Sequence, residues 1–120
     1  MGTKIFDLEE RLINFALLII DVVEKLPNSR SGSHIAGQLL RSGTSPALNY
    51  GEAQVAESRN DFIHKMKICL KELKESNISL QIIHRKPLIA GASLIGIPPA
   101  HQKLLQLCHR LHISEESKIP

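Results

Sequence analysis

The chain has 120 residues, with 15 Lys plus Arg against 12 Asp plus Glu, 42% hydrophobic residues, one Tyr, three Phe and no Trp. That length suits one domain with enough core to fold without disulfide or metal staples. Cys69 and Cys108 form no CxxC pair, and the apolar run 12–23 contains Asn14 and Asp21, which argues against a disulfide scaffold and against a membrane-spanning helix. With Asp7, Glu9 and Glu10 interrupting the first apolar residues, no secretory signal is visible, and a reducing, cytoplasmic setting is expected.

Leu8, Leu12, Phe15, Ile19, Val22 and Leu26 recur at spacings of four and three, which predicts an amphipathic helix over 7–26. A second apolar row, Ile13, Ala16, Ile20 and Val23, lies about 100° further around that helix. One core cannot face both rows. The second is expected to meet another copy of the chain, the alternative being a central helix buried on all sides of a monomer.

Pro27, Asn28, Ser29, Ser31 and Gly32 break the pattern, and Ser33 is placed to cap a second helix over 34–57. Its apolar positions are Ile35, Leu39, Leu40, Ala47, Leu48 and Val55. Pro46 removes a backbone donor and crowds the carbonyl of Ser42, which predicts a kink, with the hydroxyls of Ser42, Thr44 and Ser45 available to freed carbonyls.

Ser58-Arg-Asn-Asp61 reads as a capping box opening a third helix over 59–85. The predicted seam is Ile63, Met66, Leu70, Leu73, Asn77, Leu80 and His84, widened by Phe62, Cys69 and Ile83. Residues 87–98 read as an apolar loop, Pro99 as the first turn of a fourth helix over 99–112, and 113–120 as a polar tail. The expected fold is all-α, a single antiparallel up-and-down four-helix bundle with helix 2 kinked near Pro46.

Arg41-Ser-Gly-Thr-Ser45 followed by Asn49 and Glu52, then Glu57-Ser-Arg-Asn-Asp-Phe-Ile-His64 and Lys71-Glu-Leu-Lys-Glu75, resembles the four-helix-bundle proteins encoded in bacterial 23S ribosomal RNA intervening sequences. The resemblance implies a ring-like homopentamer with no established enzymatic activity and an unsettled role. Accessory proteins of diversity-generating retroelements look similar and bind nucleic acid through a basic surface. Arg41, Ser42, Ser45, Asn49, Glu52 and Glu72 are the polar positions that match the pattern. Commoner members place Ile before the proline, whereas Pro46 here follows Ser45 directly. Helical spacing sets Arg41, Ser45, Asn49 and Glu52 along one strip. That strip reads as an inter-helix polar network in which Arg41 or Asn49 meets Glu52 or Glu72, or as a contact for a ligand or RNA.

Arg59 and His64 fit the Arg-x4-His spacing of small helical ribonucleases of the HEPN type, in which Arg would stabilise developing charge and His would move a proton. Any Arg and His five apart match this spacing by chance. Cys108, His109 and His112, with His84 or His101, offer no complete ligand set, and Cys108 falls on the apolar seam of the fourth helix, so no metal is expected. The sequence contains no phosphate loop, nucleophile elbow or dinucleotide fingerprint, so no cofactor or small-molecule substrate is expected.

Charge is the remaining signal. Residues 7–26 carry five acids and two bases, whereas 27–112 carry eleven bases and five acids. Lys67, Lys71 and Lys74 share a face of the third helix, with Arg85 and Lys86 at its end. This face reads either as an ordinary solvated surface or as a track for RNA or DNA. Glu72 and Glu75 interrupt it in sequence, and with so few aromatic residues any contact would be weak, salt-sensitive and sequence-tolerant.

Overall fold

A computed structural model describes residues 7–86 and Leu88. They form three helices, α1 (Leu8–Lys25), α2 (Arg30–Gln54) and α3 (Arg59–Arg85), joined by two short connections. The expected four-helix bundle is therefore corrected to three helices among the described residues, which contain no strand. The helix expected over 99–112, the tail, and the loop 87–98 apart from Leu88 lie outside the described residues.

The helix α1 buries Leu8, Leu12, Phe15, Ile19 and Val22, the row that the four-three spacing selects. Each such side chain removed from water contributes about 1.5–3 kcal/mol. The helix stops at Leu26, whose backbone is extended because Pro27 follows it.

The start of α2 differs from expectation. Ser29, not Ser33, is the N-cap, accepting from the Gly32 N–H at 3.1 Å. The Ser33 hydroxyl instead donates to Asn28 Oδ1 at 3.4 Å. Gly32 is not a breaker but a contact residue, since a Cβ there would lie 2.2 Å from the Pro27 carbonyl oxygen. The helix runs unbroken through Pro46 and ends three residues before the predicted boundary. Thr44 Oγ1 donates to the Leu40 carbonyl at 2.8 Å, and Ser42 Oγ to the Leu39 carbonyl at 3.4 Å. Its buried face is built largely of small side chains, Gly32, Ser42, Gly43, Pro46 and Ala53, beside Leu39 and Tyr50. Of the apolar positions on this helix, Leu40, Leu48 and Val55 are exposed. Small residues win this face because α2 is central: α1 packs on it from one side and α3 from another.

The helix α3 opens on the capping box, with Ser58 Oγ accepting from the Asp61 N–H at 3.1 Å and the Asp61 carboxylate accepting from the Glu57 N–H at 3.4 Å. Its buried seam follows the predicted stripe through Ile63, Met66, Cys69, Leu73, Leu80 and Ile83, while Leu70 and Asn77 are half-buried, His84 is exposed, and Ser76, outside the predicted stripe, is buried. Ser76 takes an inward position because its hydroxyl is bonded there. Leu88 returns to the core and donates its N–H to the Ile83 carbonyl at 3.1 Å.

Candidate functional site

The polar strip predicted on α2 and α3 divides into separate contacts. Arg41 spans to α3, placing one guanidinium nitrogen 3.3 Å from Glu72 Oε1 and another 3.5 Å from Glu75 Oε1. Glu72 is buried on the α2-facing side. Ser42 and Ser76 meet at 2.9 Å in the interior, and the Cys69 thiol donates to the Pro46 carbonyl at 3.4 Å. Further along, Lys65 Nζ approaches Glu52 Oε1 at 2.6 Å. As one helix's partners rise in number the other's fall, so α2 and α3 are antiparallel and these contacts hold one register. Asn49 stays on its own helix, donating to the Ser45 carbonyl at 3.1 Å and to Ser45 Oγ at 2.8 Å. Lys65 was not singled out in sequence; its proximity to Glu52 arises only from the antiparallel register.

The Lys65 ammonium is held above its ordinary pKa, chiefly by the hydrogen bond to Glu52. Desolvation opposes this, and the negative charges of Glu52 and Asp61 add smaller contributions in its favour.

On the outer side of α3, Lys67, Lys71 and Lys74 are exposed along one face, followed by the exposed Ile78, Ile82, Arg85 and Lys86. Arg85 donates to Gln81 Oε1 at 3.1 Å. Glu72 and Glu75, interleaved with the lysines in sequence, both turn toward Arg41.

Arg59 and His64 are exposed near the start of α3. His84 is exposed in its last turn, and Cys108, His101, His109 and His112 lie outside the described residues. Among the described residues no three His, Cys, Asp or Glu side chains gather closely enough to hold a metal ion. No described helix is long and apolar enough to cross a membrane.

Of the second row on α1, Ile13 and Ile20 are exposed, Ala16 is half-buried, and Val23 leans on the core. Leu17 and Leu18 are exposed beside them. Between α2 and α3 lies a groove of about 360 Å³, walled by Gln38, Arg41, Glu75, Ile78, Ser79 and Ile82, which the charge and motif patterns do not single out. It leads past Ile78 and Ile82 to a second depression, of about 340 Å³, at Arg85 and Lys86. Its available signal was the pair of isoleucines four apart on the hydrophilic side of α3.

These features define a small all-helical protein whose third helix carries a basic outer face. The family model of the 23S rRNA-intervening sequence protein matches residues 6–97, and the chain belongs to that family. It is also similar to a crystal structure of a protein of unknown function from the S23 ribosomal protein family, from Bacteroides thetaiotaomicron. The two share 30% identity with a TM-score of 0.80, over 88% of this chain and 97% of the other. No curated protein matches the chain.

Proposed function

We propose that this family member is a non-catalytic, self-assembling protein that holds nucleic acid through Lys67, Lys71 and Lys74, with Arg85 and Lys86 extending the surface. The observation carrying this reading is the exposure of Lys67, Lys71 and Lys74 along one face of α3, while both Glu72 and Glu75 contact Arg41. A row of lysines attracts phosphate by charge and releases counterions when it binds. Tyr50 and Phe15 are buried, so neither is a platform for stacked bases, and the contact is tolerant of sequence. The exposed apolar row of α1 supports assembly, with a homopentamer as the form the family resemblance implies. A ring repeats the lysine row and multiplies its effect by avidity.

The test is binding of single-stranded and duplex RNA and DNA over a salt series, by wild type and by Lys67→Ala/Lys71→Ala/Lys74→Ala. The triple variant binds more weakly, and its log K falls less steeply with log salt, by as much as about 2–3 in slope. Unchanged affinity and slope overturn the nucleic-acid reading. RNA cleavage that disappears in His64→Ala overturns the non-catalytic one and makes Arg59 and His64 the reacting pair. Light scattering tests assembly, with five times the 13.4 kDa chain mass as the expected value.

A further inference from the structure

We infer that the groove between α2 and α3 seats an unpaired base, so that the nucleic acid held by the lysine row is single-stranded. This rests on the nucleic-acid reading above and goes beyond it by naming the form of the strand and the surface that selects it.

Lys67, Lys71, Lys74, Ile78, Ile82 and Arg85 follow one another at spacings of four or three, and so lie on one stripe of α3. Exposed cations stand at its two ends, the lysines at one and Arg85 with Lys86 at the other. Between them the stripe turns apolar, with Ile78 49% exposed and Ile82 47%. Both isoleucines line the groove and also the adjoining depression at Arg85 and Lys86. Lys74 and Arg85 are roughly 16 Å apart along the helix, so a strand held at both ends passes directly over the isoleucines.

The groove between those ends is unsuited to phosphate. The cation in its wall, Arg41, faces two carboxylates, Glu72 at 3.3 Å and Glu75 at 3.5 Å, and Glu75 itself lines the groove. Two negative charges against one positive repel a phosphate and admit an uncharged group. The two carboxylates engage different nitrogens of the guanidinium, and so meet it at its edge, while the Arg41 side chain remains 60% exposed. A guanidinium held by its edge offers a flat face on which bases stack. Gln38 and Ser79, also in the wall, can both donate and accept, and Glu75 accepts. Such a set meets the edge of any base, because each base carries an N–H donor, and so keeps the contact tolerant of sequence. A single strand can turn a base inward while its neighbouring phosphates stay on Lys74 and Arg85. A duplex has to break a pair to do the same.

The test compares binding of the full chain to a labelled single strand, to the same strand synthesised without its bases, and to the duplex, all at one salt concentration. The strand with bases binds about five- to tenfold more tightly than the base-free strand. Ile78→Ala/Ile82→Ala removes the apolar contact, and Arg41→Lys keeps the charge but not the flat face. Each erases that difference and leaves duplex binding at its wild-type level, with circular dichroism confirming the fold. Equal binding of the two single strands by the wild-type chain overturns the base site and leaves the lysine row standing, whatever the variants do. A preference for bases that survives both substitutions overturns the assignment to this groove, and a matching loss on the duplex makes the groove a backbone contact and overturns it too. Absence of binding to all three at low salt overturns the nucleic-acid reading along with it.

Discussion

Ile19 of α1 rests against the backbone of Gly43 in α2, so closely that a Cβ on residue 43 would lie 2.6 Å from one Ile19 methyl carbon and 2.7 Å from Cγ1. Ile19 is wholly buried and branched at Cβ, so it cannot swing away. Gly43→Ala is therefore overpacked and loses about 1–3 kcal/mol. Gly37 and Gly51, also within α2, have open space where a Cβ would go. Alanine at either gains about 0.5–1 kcal/mol by removing backbone entropy from the unfolded chain. Thermal unfolding of the three variants, followed by circular dichroism, gives opposite signs; equal shifts would show that α1 and α2 are not in close contact at Gly43.

The cap of α2 yields a simpler comparison. Ser29→Ala removes the acceptor for the Gly32 N–H and costs about 1 kcal/mol. Ser33→Ala leaves stability almost unchanged, because Ser33 is exposed and inside the helix. Denaturant midpoints in that order place the helix start at Arg30; the reverse order places it at His34.

Within the interior, the serine pair predicts a coupling. Ser42 Oγ and Ser76 Oγ share a hydrogen bond of 2.9 Å in which either hydroxyl can donate. Alanine at either position leaves the other hydroxyl buried without this partner and costs about 1–3 kcal/mol. The double alanine variant is more stable than the sum of the two losses implies. A double-mutant cycle in urea with no coupling between the sites would rule out the bond.

The Glu52–Lys65 pair sets a pH expectation. Lys65 is raised above the ordinary lysine value of 10.5. The stabilisation from a raised cation is complete below its unfolded value and fades as pH climbs through the folded one. The raised lysine therefore adds no pH dependence through the neutral range, and on the alkaline side its contribution is lost only in strongly alkaline solution. Glu52→Gln returns the Lys65 titration toward the ordinary value, as read from its side-chain Cε carbon by NMR. A Lys65 titration identical in the two proteins would mean that the 2.6 Å contact does not persist in solution.

How far the sequence can be read depends on how much side-chain chemistry each face carries. The apolar row of α1 is unbroken, so its inward face follows from spacing alone. On α2 the inward positions beside Leu39 and Tyr50 are glycine, serine, proline and alanine, which mark no apolar face in isolation. Only the closeness of two flanking helices makes smallness an advantage, and that is invisible until they are placed. On α3 the spacing rule selects Asn77 and His84 and passes over Ser76, because a serine looks solvent-facing without its partner Ser42. The motif residues were legible as a set but their pairing was not. Arg41 does reach Glu72, but Asn49 and Glu52 take partners fixed by register and helix backbone.

Because α1 and α3 each dock on α2, the molecule behaves as two hairpins sharing one arm. Opening of α1 need not disturb the α2–α3 register held by Arg41, Ser42 and Glu52. In native-state hydrogen exchange, amides of α1 then form a cooperative group that opens at a lower free energy than those in the middle of α3. The shared arm also shapes folding: α2 has to be helical before either neighbour finds a surface, so substitutions along its inner face slow folding, whereas those on the outer turns of α1 chiefly hasten unfolding.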